Sequence, residues 1–131
     1  VLGSGIMGSQ IACHLANVGI ETLLLDMVPR ELNDKEKASK KTLEDKMVRN
    51  RIVNESLHAA IKMKPAPLYR KSFAKRISTG NFDDDFEKIK DADWVIEVVV
   101  ERLDIKKIIL DKVENYMKLG AIISSNTSGI P

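Results

Sequence analysis

The sequence predicts an α/β fold built on a doubly wound parallel sheet, with a long helical excursion after the second strand. Three observations predict it. Strand-like apolar runs alternate with segments of helical period along the whole chain. Residues 22–25 form a short, almost wholly apolar run, which is how a parallel strand covered on both faces reads. A glycine-rich turn links the first strand-like residues to the first helical segment.

Taken in order, Val1 and Leu2 stand for an opening strand that lacks most of the roughly five or six residues usual for one. Ile11, Ala12, Leu15 and Ala16 then recur at helical spacing with Gly19 as a stop, giving a helix over 8–18. Residues 22–25 make the second strand, ending at Asp26. From 31 to 64 the chain is charged and helical, with Leu43, Met47, Leu57 and Ile61 as apolar marks and Pro65 and Pro67 closing it. That stretch reads as a long exposed helical arm. Residues 77–79 form a short strand, Gly80 and Asn81 a turn, and 83–90 a short helix with Phe86 and Ile89 on one side. Residues 94–100 are a β-branched strand. Ile105, Ile108, Ile109, Val113 and Tyr116 mark another helix with Gly120 behind it, and 121–124 supply the last strand.

A chain of 131 residues, 44% hydrophobic and 31% charged, suits one globular domain. Its longest apolar runs fall far short of the roughly 20 residues that a membrane helix needs, so no membrane partner is expected and the cytoplasm is the expected compartment. A formal charge of +2 is too small to argue for nucleic acid. Basic residues crowd between Lys35 and Arg76 while acids gather at 83–87, a hint of an anionic ligand. No metal-ligand set stands out. Cys13, the single cysteine, sits inside the first helix beside Ala12, where a small buried residue is expected rather than a reactive one. Both ends read as cuts, which makes residues 1–131 a domain truncated at each end.

The chemistry begins at Gly3-Ser4-Gly5-Ile6-Met7-Gly8, a G-x-G-x-x-G between strand and helix. Gly3 permits the tight turn, Gly5 lets the backbone approach a pyrophosphate, and Gly8 lets helix pack closely on sheet. The pyrophosphate then sits at the helix N-terminus, where free N–H groups and the dipole favour an anion. Asp26 lies 18 residues after Gly8, at a strand end from which a carboxylate can accept hydrogen bonds from the adenosine ribose. Its charge repels a 2′-phosphate, so NAD is favoured over NADP; Arg30 is expected to face water.

The glycine motif, Asp26, Glu97-Val98-Val99-Val100-Glu101 followed by Lys106, and Ser124-Ser125-Asn126-Thr127-Ser128 together resemble the N-terminal, Rossmann-type NAD-binding domain of 3-hydroxyacyl-CoA dehydrogenases. The resemblance spans essentially the whole chain. Its long arm, with Thr42-Leu43-Glu44-Asp45-Lys46 and Lys64-Pro65-Ala66-Pro67, looks most like bacterial multifunctional fatty-oxidation proteins that also carry an enoyl-CoA hydratase. The resemblance implies that Met7, Asp26, Val99, Val100, Glu101, Lys106 and Ser128 line the NAD site, with Gly3, Gly5 and Gly8 beneath the pyrophosphate. It gives Ser128 a second role, hydrogen-bonding the 3-oxygen of a 3-hydroxyacyl-CoA or 3-ketoacyl-CoA substrate. Ser56 and Lys62 on the arm are implied contacts of the CoA moiety, against the alternative of a solvated basic helix. Glu97 lies within the strand pattern, as a buried partner or as a register device. Arg102 departs from the asparagine often found after V-V-E, which puts the contacts of that loop in doubt.

The implied reaction is reversible hydride transfer between NAD and C3 of the substrate, with a histidine as general base and a carboxylate holding its imidazole. That pair is expected after the S-N-T-S turn, beyond Pro131, together with a helical domain that dimerises the full-length protein. His14 is expected on a helix surface or interface and His58 in solvent, so this fragment is expected to be inactive alone. Another NAD-dependent β-hydroxyacid dehydrogenase, or a non-catalytic nucleotide-binding or structural relative, stays open.

Overall fold

In the computed structural model, which describes residues 1–130, the strands β1 (Thr22–Asp26), β2 (Ile77–Asn81), β3 (Trp94–Glu97) and β4 (Ile122–Ser125) are all parallel. β1 pairs with β2 and β3 with β4, and Leu2 stands between the two pairs, bridging Leu25 on one side and Glu97 on the other. Four backbone bonds of 2.8 to 3.0 Å hold it there: Leu2 N–H to Ile96, Gly3 N–H to Leu25, Leu25 N–H to Val1 and Val98 N–H to Leu2. The order across the sheet is therefore β2, β1, Leu2, β3, β4. This is an α/β domain of parallel strands alternating with helices, in keeping with a Rossmann-like nucleotide-binding domain.

Strand periodicity divides the core. Leu24 and Leu25 are both fully buried, yet they point to opposite faces, as neighbours on a strand must. Leu24 joins Ala12, Cys13 and Ala16 of α1 (Ile6–Asn17) and Val53 of α4 (Arg51–Ile61). Leu25 joins Leu2, Phe82, Phe86, Ile89 and Val95, with Ile109 and Val113 from α5 (Leu103–Tyr116). Cys13 is a packing residue in this structure, and burial pushes its thiol pKa up.

The segment expected as one exposed arm is instead three helices, α2 (Asp34–Ala38), α3 (Lys46–Arg49) and α4, of which α4 packs against α1, β1 and β2. A capping box starts α2, with Asn33 and Glu36 each accepting from the other's backbone N–H at 2.8 Å. Lys40, at φ 57, ends that helical stretch. The Asp45 carboxylate accepts from the Thr42 amide and turns the chain again. Leu43 and Met47, two of the apolar marks of the arm, are exposed, whereas Val48, Val53 and Ala60 are buried. The apolar marks of the arm thus fall on separate elements whose phases do not match.

Other boundaries shift for local reasons. Gly80 and Asn81, expected as a turn, belong to β2. Asn81 is buried there because its side chain donates to Asn50 and Asp84 while accepting from the Asp83 and Asp84 amides. The short helix expected over 83–90 is a 3-10 helix over Phe86–Asp91, and it buries Phe86 and Ile89 together. β3 stops at Glu97 rather than 100, since the Val99 amide turns back onto the Glu97 carboxylate. Among the described residues, no helix is long and apolar enough to cross a membrane.

Candidate nucleotide site

Parallel strands bring their C-terminal ends to one edge of the sheet, so the glycine turn after Leu2, Asp26, the 98–101 loop and the 126–128 turn share that edge. The chain reverses its direction of travel across the sheet at Leu2, running to β1 and β2 on one side and then to β3 and β4 on the other. Gly3 is pressed against this crevice. At φ 106 it adopts a backbone that L side chains rarely reach, and a Cβ on it would lie 2.7 Å from the Val98 carbonyl oxygen.

Gly8 is equally constrained, because a Cβ there would come within 1.8 Å of the Gly3 carbonyl oxygen. Gly5 differs from both: its missing Cβ borders open space. The absent side chain leaves room for a ligand beside the backbone. Gly5 also caps α1 with no side-chain hydrogen bond, and no acidic residue stands in the first turn. The opening amides of α1 have no intrahelical partner, so an anion fits there. The Ser9 hydroxyl donates to the Ser4 carbonyl at 2.6 Å and pins the turn.

Asp26 ends β1 with its carboxylate facing that turn. Oδ2 accepts from both the amide (2.8 Å) and the hydroxyl of Ser4, and Oδ1 accepts from the Met27 amide at 2.7 Å. Three of a carboxylate's four or so acceptor sites are used, which leaves one on Oδ1 for a hydroxyl donor. Ser4 escaped the sequence reading. The only signal was a hydroxyl at the first variable position of the glycine motif. Met7 is half-exposed beside the turn, and Arg30 is exposed.

A cavity of about 280 Å³ opens between the glycine turn and α4, lined by Ser4, Gly5, Ile6, Ser9, Ser56, Ala59, Ala60 and Met63. Ser56 is thereby brought to the turn, while Lys62, at the C-terminal cap of α4, lies exposed and outside the lining. A larger cleft of about 740 Å³ lies at the other end of the strands, between Thr22, Leu23, Trp94 and Val95. It is remote from the crevice edge and carries none of the predicted site residues.

Across the crevice, Val100, Glu101 and Ser128 are exposed and Val99 packs partly into the core. Lys106 stands apart from the expectation that it extends a charge toward the cofactor. Only 4% exposed, its ammonium donates to Glu97 Oε1 at 2.9 Å and to the Val99 carbonyl at 3.2 Å. The first turn of α5 starts directly behind the loop, so the lysine points inward. Glu97 is fully buried; it also accepts from the Val99 amide at 3.0 Å and from the Ser125 hydroxyl. Burial works to raise its pKa, but hydrogen bonds from Lys106 and Ser125, the Lys106 charge and the Val99 amide outweigh that, and the carboxyl titrates below its ordinary value. His14 and His58 are both exposed, on α1 and α4. No cluster that could hold a metal ion occurs among the described residues.

Comparison with known proteins follows the same lines. The family model described as "3-hydroxyacyl-CoA dehydrogenase, NAD binding domain" matches residues 1–131. A probable 3-hydroxyacyl-CoA dehydrogenase of Bacillus subtilis is 51% identical over 99% of this chain, which spans 16% of that protein. A putative fatty acid oxidation complex trifunctional enzyme of Rickettsia felis is 40% identical over the whole chain, again 16% of its length. The crystal structure of (S)-3-hydroxybutyryl-CoA dehydrogenase from Ralstonia eutropha superposes with a TM-score of 0.62 at 29% identity, covering 98% of this chain and 40% of that one.

Proposed function

This chain belongs to the 3-hydroxyacyl-CoA dehydrogenase family, of which it is the NAD-binding domain, and from that premise we propose that it serves a longer dehydrogenase oxidising 3-hydroxyacyl-CoA in fatty acid β-oxidation. One observation carries the reading: the open Gly5 backbone, the Asp26 carboxylate and the exits of β3 and β4 lie along one sheet edge. Strand order and the opposed burial of Leu24 and Leu25 support the finer fold, a doubly wound Rossmann-type sheet with helices on both faces.

In this reading the α1 amides hold the pyrophosphate over Gly3, Gly5 and Gly8, and Asp26 accepts from the adenosine ribose. Met7, Val99, Val100 and Glu101 flank the rest of the dinucleotide. When bound, NAD supplies the acceptor for the hydride leaving C3 of the substrate. The Ser128 hydroxyl holds the substrate's 3-oxygen in place, and a histidine outside this chain removes its proton. Lys106 acts on the site from behind, through Glu97 and the loop. Ser56 borders the CoA moiety from α4; Lys62, exposed nearby, attracts its phosphates from solution. The full-length protein is a cytoplasmic homo-oligomer completed by a helical substrate domain.

Calorimetric titration tests the cofactor half of this proposal. NADH binds in preference to NADPH, and Asp26→Ala weakens NADH by about tenfold, the loss of about 1.4 kcal/mol expected for a charge-assisted hydrogen bond. Equal affinity in mutant and parent would remove Asp26 from the ribose.

A further inference from the structure

We propose that Glu97 is a positioning residue for the nicotinamide end of the cofactor site, an inference that rests on the NAD-binding role above. Its carboxylate fastens three separate segments that reach the crevice: the 98–101 loop through the Val99 amide, α5 through Lys106, and β4 through Ser125. Its own carbonyl accepts from the Asn126 amide at 2.9 Å, and the Ser125 hydroxyl lies 2.7 Å from that of Thr127. Thus the strand that ends in Val99-Val100-Glu101 and the turn that ends in Ser128 are set relative to each other by one side chain.

Geometry, more than stability, accounts for an ion pair at this place. A buried pair is often matched or bettered in stability by apolar residues of similar volume, because desolvating both charges offsets their attraction. What apolar residues cannot supply is direction. With its N–H turned onto Glu97 and its C=O onto Lys106, the Val99 backbone faces inward and the loop presents Val100 and Glu101 to the crevice. The loop also stands against the glycine turn, at the Gly3–Val98 approach already described. Among the described residues, Asp26 shares no hydrogen bond with this network.

Titrating the chain with NADH and with ADP-ribose, which lacks the nicotinamide, isolates the effect. Glu97→Gln keeps the shape but loses the charge that orders both loops. Because it leaves Lys106 buried without its anion, both titrations are run well below the melting temperature of the variant. The substitution should weaken NADH about tenfold, or about 1.4 kcal/mol, while leaving ADP-ribose within about twofold. Ser125→Ala, at an exposed position that folding tolerates, should shift the same ratio by a smaller factor, and Ser125→Thr, which keeps the hydroxyl, should restore it. The enhanced fluorescence of bound NADH should fall with the same variants. Parallel losses for both ligands, or no loss for either, overturn the inference and leave Glu97 a scaffold residue. A parent chain that binds neither ligand overturns the cofactor reading itself.

Discussion

The two halves of the crevice are built by different physics. On the α1 side the site is shaped by what is missing: no Cβ fits at Gly3 or Gly8, and the backbone itself forms the floor. On the β3–β4 side it is shaped by charge, with Glu97 and Lys106 withdrawn from water to hold the loop after β3 and the end of β4 together. A steric device is insensitive to pH, even where, as between Gly3 and Val98, it joins residues far apart. An ionic one depends on protonation.

Breaking the ionic half should have the largest effect. Lys106→Met leaves Glu97 buried without its cation, and removing one partner of a buried pair costs about 3–5 kcal/mol. Thermal melts followed by circular dichroism read this directly; a loss below about 1 kcal/mol would mean that water reaches the pair. Gly8→Ala attacks the steric half. Its methyl must displace α1 from the Gly3 carbonyl, at about 3 kcal/mol, the upper end for overpacking. NADH affinity should fall with stability there, because the turn itself moves.

Acid sharpens the contrast by a smaller amount. The folded pKa of Glu97 lies below its ordinary 4.5, so its contribution is complete above that value and is lost as pH falls through the folded value. Melting temperature should therefore drop more steeply below about pH 4.5 in the parent than in Glu97→Gln. Coincident slopes would show that other carboxylates dominate the acid limb.

Legibility followed the same division. The glycine motif, Asp26 and the alternation of strands and helices are contiguous or regularly spaced, and the structure brings the first two together at Ser4. Helical period alone does not reveal the breaks in the arm, which are made by a capping box, a left-handed Lys40 and an Asp45 turn. The family resemblance implies Lys106 at the cofactor, whereas its hydrogen bond to Glu97, nine residues back on another element, is visible only in the folded chain.

By itself, then, the sequence determined the nucleotide-binding turn, the acidic strand end and the parallel alternating architecture, since each is fixed by sterics or periodicity among near neighbours. Only the tertiary structure decided where the charges of Glu97 and Lys106 go, that Ser125 meets them, and which faces of the arm are buried. Those outcomes depend on desolvation and on hydrogen-bond geometry between segments as far apart as β3 and β4, which the chain order does not encode locally.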